Sequence, residues 1–273
     1  MNANLLSSAL FFSDAPLPQV AREVGSVIDM MVARRQDSLL VLTKPFYQLT
    51  LNLMGVTNNP LELDEAFMTH AESTRNVTSF LCLRMQNMIL RFLFGDFVAA
   101  NAKLDEIECT MGATGLPGIE GIFCLFFSGM TKLVLAREAS VFRCRKLLKK
   151  TRWAIRQLKK LSRYSPDNCI AMKFLLQAEY ASVCGDSLKA YEKYTTASGL
   201  ARDSGIRIIE AVAHERTARH LVYQGDEVLA TSCFKKALSC YSEWGARAKV
   251  DHLEKEMNDV LCSNSTVGLQ KKL

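Results

Sequence analysis

The feature that most constrains the fold is a helix corner that recurs along the chain. Gly185-Asp186 is followed by Ala190, Tyr194 and Ala197, and Gly225-Asp226 by Ala230, Phe234 and Ala237, all five positions offset by 40 residues. Gly95-Asp96, followed by Ala100, Leu104 and Ile107, keeps the same internal spacing 90 residues before Gly185. Each position has a physical reason. Glycine enters the left-handed conformation that ends a helix. Aspartate directly after it caps the next helix. Alanine one turn on lets that helix approach its predecessor closely, and the bulky residue a turn later fills the groove beside the next pair. This is the pattern of the second half of a tetratricopeptide unit, whose usual period is about 34 residues. The wider spacing here implies longer helices or connections.

The rest of the chain agrees. Apolar residues recur at helical spacing almost throughout, and strict two-residue alternation is missing. Breakers at Asp14-Ala15-Pro16, Gly55 to Pro60, Gly112 to Gly118, Ser165-Pro166-Asp167 and Gly205 divide the chain further. The pattern predicts helices near 3–12, 17–35, 37–54, 63–74, 76–94, 97–110, 118–136, 139–162, 168–184, 187–203, 206–224, 227–243 and 246–261. Short links make neighbours antiparallel. The expected fold is all-α: a right-handed α-solenoid of antiparallel helix pairs, a tetratricopeptide-like superhelix offering a long concave surface. It is expected to form one domain over residues 1–262, with a disordered tail at 263–273.

Composition removes other classes. Hydrophobic residues make up 49% of the 273, enough for a large core and too many for a disordered chain. The longest uncharged run, Pro45 to Leu61, contains proline, glycine and three asparagines. A membrane span needs about 20 mostly apolar residues, so a soluble chain with no transmembrane segment is expected. The nine cysteines include no CxxC pair. An odd count in a chain of this length reads as reduced thiols in the cytoplasm.

No catalytic motif is complete in the sequence. No P-loop is present, and Gly115 to Gly121 lacks dinucleotide-binding spacing. His214-Glu215 begins like a zinc-protease motif, but the second histidine position holds Ala218. His220 falls on another face. Cys233 and Cys240 share a helix face, where two thiols are too few for structural zinc. No catalytic, cofactor-binding or metal-ligating residue is assigned, and a non-enzyme is expected.

One electrostatic feature stands out. Residues 132–163 carry twelve Lys/Arg against the single Glu138, a segment charge of +11 in a chain of net charge +6. The expected helix 139–162 places Cys144, Leu147, Leu148, Thr151, Ile155 and Leu158 on one stripe. Arg145, Lys149, Arg152, Arg156, Lys159 and Lys160 lie opposite, with Phe142 and Trp153 among them. Three readings are open: a solvated outer face, a site for an acidic protein or anionic lipid, or a nucleic-acid contact. The candidate anion- or partner-binding residues are Arg145, Lys149, Arg152, Trp153, Arg156, Lys159 and Lys160.

Several blocks carry a family resemblance. They are Gly185 with Ala190, Tyr191 and Tyr194; Glu210 to Glu215 with Ala218-Arg219; and Cys240 to Val250, containing Trp244-Gly245-Ala246, followed by Leu253-Glu254. Asn52 to Gly55 and Leu93 to Asp96 add to them. Together these resemble the helical-repeat region of very large signalling proteins, in which a serine/threonine-kinase-like domain, a P-loop ATPase domain and a tetratricopeptide-like array precede sensor and histidine-kinase modules. The resemblance implies a non-catalytic interaction scaffold with a protein or peptide partner, such as other domains of a longer polypeptide. It transfers no catalytic or nucleotide-binding role, because the kinase and ATPase motifs do not occur here. On this resemblance the chain starts inside the array, and both a stand-alone array and a piece of a longer protein stay open. The alternative function is an anion-binding adaptor acting through helix 139–162.

Overall fold

The computed structural model describes residues 3–62, 77–111 and 118–270. Twelve α-helices and no strand occur among them: α1 Ala3–Phe11, α2 Leu17–Ala33, α3 Asp37–Met54, α4 Val77–Leu93, α5 Phe97–Met111, α6 Gly118–Ala136, α7 Val141–Leu161, α8 Pro166–Val183, α9 Ser187–Asp203, α10 Arg207–Gln224, α11 Glu227–Trp244 and α12 Arg247–Gln270. The helix expected at 63–74 lies outside the described residues. So does most of the expected Gly112–Gly118 break. At the other end α12 continues to Gln270, where the sequence predicts an end near 261 and a tail from 263. Only Gly268, and no proline, stands in that stretch to stop a helix.

The three Gly-Asp corners share one geometry. Gly95, Gly185 and Gly225 take φ of 81°, 85° and 82°. The next amide turns back five residues, from Asp96 N to Arg91 O at 2.9 Å, Asp186 N to Ala181 O at 3.0 Å and Asp226 N to Leu221 O at 3.0 Å. This is the bond that satisfies an orphan carbonyl at a helix end. Each aspartate then caps the following helix, accepting from the Ala99, Lys189 or Leu229 amide at 3.1, 3.3 and 3.0 Å. The residues downstream pack as their sizes require: Ala100, Ala190 and Ala230 are fully buried, and so are Tyr194, Phe234 and Trp244. Gly245 turns the chain beside Pro18, against which even a Cβ would collide at 2.8 Å.

Each helix packs against the next along the chain, and α4, α6, α8 and α10 also contact one another in an inner row. By length and composition α6 is apolar enough to cross a membrane, which corrects the reading that no segment is. Its Phe123, Phe126, Phe127, Met130 and Leu133 are all fully buried by neighbouring helices, so α6 forms the middle of the core.

The array departs from an open concave surface. In a solenoid each unit touches only its neighbours. Here α12 packs on α3 and α1 packs on α3 and α6. Phe12 stacks on Phe123 with centroids 3.6 Å apart, and Phe11 meets Trp244 at 5.4 Å. The Arg207 guanidinium donates to the Asp14 carbonyl at 2.6 Å, across 193 residues of sequence. Aromatic side chains of α1 and its following turn therefore pack against α6 and α11, tying the first helix to the middle and late helices. The eight cysteines from Cys82 to Cys240 are free, and burial pushes the Cys82 and Cys124 thiols up to about 12.

Candidate anion-binding interface

The basic segment divides between two helices. Lys132 of α6 and Arg137, just past its end, turn inward. Nine Lys/Arg and no acidic residue occupy α7 itself. Its inner side is apolar, with Thr151, Ala154 and Leu158 buried, and it packs against α6 and α8. Helix formation follows from this two-sided pattern, since burying one stripe anchors a helix whose other side is uniformly cationic.

The outer side is left open. Among the described residues, Arg143, Arg145, Lys146, Lys149, Arg156, Lys159, Lys160 and Arg163 make no side-chain ion pair or hydrogen bond. Two of their neighbours are engaged. Lys150 pairs with Glu108 at 2.6 Å. Arg152, placed by sequence among the open candidates, donates its Nε to the Tyr180 hydroxyl at 2.6 Å and lies over that ring. Arg152 is thus half committed to the fold. The basic field extends onto α8, where burial lowers the Lys173 amine and the nearby Lys159 and Lys193 lower it further.

Aromatic side chains run along the middle of this face. Phe142 is 85% exposed, Trp153 50% and Tyr164 88%. They are spaced by eleven residues, about three helical turns, so they repeat along one line about 16 Å apart. Lys146, Lys149 and Lys160 fall within about 40° of that line and Arg156 within about 60°, given 100° per residue. Tyr164 lies just beyond α7, in a turn whose Tyr164 N to Leu161 O bond of 3.0 Å keeps the chain curling in the same sense. Sequence reasoning missed Tyr164 because it follows the expected helix end; the eleven-residue spacing was the available signal.

Beneath Trp153 lies a cavity of about 180 Å³ lined by Glu108, Leu125, Ser128, Gly129, Lys132 and Lys150. The Lys132 ammonium donates to Glu108 and to the Ser128 hydroxyl, both at 2.7 Å. Burial lowers its pKa, and the Glu108 carboxylate only partly restores it. Burial raises the Glu108 carboxyl, but Lys132 and Lys150 outweigh it and leave the group below its ordinary value. These charges are satisfied within the fold.

A second set of charges lies largely inside the fold, around the fully buried Glu179 and Lys249. Glu179 of α8 receives Arg216 Nε at 2.6 Å and Arg137 at 3.2 Å, and Arg137 also donates to the Ser182 hydroxyl at 2.8 Å. Glu215 receives Arg219 at 2.8 Å, the Tyr241 hydroxyl at 2.8 Å and Lys249 at 3.1 Å. Lys249 also donates to the Leu93 carbonyl, tying α12 to the end of α4. Burial would raise both carboxyls, but the cations hold Glu179 and Glu215 at about 2. A cavity of about 310 Å³ opens beside this network, between Phe97, Val134, Phe234 and the arginines.

The discarded motif at His214 has a spatial partner. Glu210, His214 and Cys240 bring one potential ligand atom each within 4.8 Å of one another. Burial lowers the His214 imidazole pKa and pushes the Cys240 thiol up to about 11, and Arg202 already pairs with Glu210 at 2.9 Å. His214 and His220 are both buried rather than at the surface, and His220 Nδ1 meets the Ser182 hydroxyl at 2.6 Å.

Compared with protein-family models, with curated proteins and with solved structures, the chain returns no match.

Proposed function

We propose that the chain is a non-catalytic helical-repeat scaffold that docks an anionic partner through the outer face of α7. The observation that carries this reading is the run of eight unpaired cations around an exposed aromatic line. Like charges held side by side repel and work against compactness. The same fold pairs its interior arginines closely with carboxylates, so the open face is a charge looking outward. The repeated Gly-Asp corners and the inner row of helices favour the finer reading of a right-handed tetratricopeptide-like superhelix. They favour with it a regulatory array like those of large signalling ATPases and kinases, working in the cytoplasm. The docking element in this reading is the outer side of α7.

The test is binding to soluble poly-glutamate at low salt, with a variant carrying Arg145→Gln, Lys149→Gln, Arg156→Gln and Lys160→Gln. The wild type binds, its affinity falls as salt rises, and the variant loses most of it. Equal binding by the variant refutes α7 as the docking element.

A further inference from the structure

We infer that the anionic partner of α7 is a phospholipid bilayer surface, on which the helix lies flat with its aromatic side chains at headgroup level. The inference rests on the reading of α7 as an anion-docking face and names the anion. Three observations select a bilayer. The first is shape. The face is built mainly on one outward helix about 31 Å long, and neither of the two cavities described runs along it as a groove. Single-stranded nucleic acid is held in a basic groove with aromatics under successive bases, whereas these rings stand about 16 Å apart. The second is the residue types and their order. Phe142 and Tyr164 stand out from the surface, and half-exposed Trp153 lies between them, among lysines and arginines. Tryptophan and tyrosine settle at membrane–water interfaces because one end of the ring system is apolar and the other polar. Basic side chains beside them reach lipid phosphates. The third is rigidity. Thr151, Ala154 and Leu158 anchor the inner side of α7, so the line of rings is held on a fixed helix before contact.

This arrangement differs from an amphipathic helix that inserts its apolar side. The apolar side of α7 is already taken by α6 and α8, and penetration is limited to the three rings.

The experiment uses the full chain and two kinds of vesicle, phosphatidylcholine alone and phosphatidylcholine with phosphatidylserine. The chain has two tryptophans, and their surroundings differ: Trp153 is half-exposed while Trp244 is fully buried. On the anionic vesicles the chain sediments with lipid, its emission shifts to the blue and acrylamide quenching falls. Trp153→Phe weakens the binding, and at lipid concentrations that still sediment the variant the spectral change is gone, which assigns that change to α7. The four-residue glutamine variant, shown folded by its circular dichroism, binds the anionic vesicles at least about a hundredfold more weakly, since each basic residue near such a surface contributes substantially. Vesicle binding that leaves Trp153 as quenchable as before overturns the seating of the rings. A chain that binds poly-glutamate but neither vesicle overturns the bilayer and leaves the anion-docking reading standing. Tighter binding to a single-stranded oligonucleotide than to anionic vesicles also overturns it. A chain that binds none of these probes removes both.

Discussion

Two regions of this molecule are rich in arginine and lysine, and they treat charge in opposite ways. Between α8, α10 and α12, four cations face three carboxylates: Arg137, Arg216, Arg219 and Lys249 against Glu179, Glu215 and Glu256. On α7, seven cations, with Arg163 just beyond its end, make no ion pair or hydrogen bond among the described residues. The interior had no choice. A charge withdrawn from water must be paired and hydrogen-bonded, or it destabilises the fold by several kcal/mol. The outer face is under no such demand, because water solvates each ammonium and guanidinium separately. Charge that is compensated within the chain belongs to the architecture. Charge left open in a row is available to something outside it.

The largest test of this contrast is to break an interior pair. Glu179→Gln leaves Arg216 buried without its carboxylate and should lower stability by about 3–5 kcal/mol, read by urea unfolding at pH 7. Acid should act on the same site. The folded Glu179 and Glu215 carboxyls titrate at about 2, below the ordinary value of 4.5. The unfolded chain therefore takes up more protons as the pH falls through 4.5. Stability present above that value is lost between about 4.5 and 2. In Glu179→Gln this acid-dependent loss should shrink, and an unchanged pH profile would show that Glu179 is not held low.

Overpacking separates size from charge in the same interior. Ala190→Trp disturbs the α8–α9 contact without touching an ion pair and should cost about 1–3 kcal/mol. A wild-type melting curve would remove Ala190 as a close-approach position. The smallest effect should be at Arg35, which holds φ 53° at the α2–α3 corner. Arg35→Gly relieves a conformation that costs a side-chain-bearing residue about 1 kcal/mol. It also deletes an exposed cation, and melting should rise slightly. A fall would mean that this exposed charge contributes to the fold after all.

Local features were legible in the sequence and long-range ones were not. The Gly-Asp corners are written in five neighbouring positions, so glycine, cap and small residue could be read together. The basic face of α7 was legible for the same reason, being confined to one helix. The Glu179–Arg216 and Glu215–Lys249 pairs span 37 and 34 residues. Nothing within α10 says which of its charges face inward. A trace of the answer was present: α10 is buried at Ala211, Val212, Ala213, His214, Glu215, Arg216, Thr217 and Ala218 in succession. A helix with charges on a face that must be covered announces interior pairing, but the partners come from other helices. Closure of the array was hidden too, because Phe11 and Phe12 look like an ordinary apolar helix end until Trp244 and Phe123 are placed beside them.

The division of charge is tested most directly by measuring unfolding free energy, in one buffer at pH 7, for the wild type, for Glu179→Gln and for the four-residue glutamine variant of α7. The account predicts that the α7 variant stays within about 0.5 kcal/mol of the wild type, as exposed substitutions do, while Glu179→Gln falls by several. An α7 variant that loses as much stability as Glu179→Gln would contradict it, because those cations would then be part of what holds the fold together.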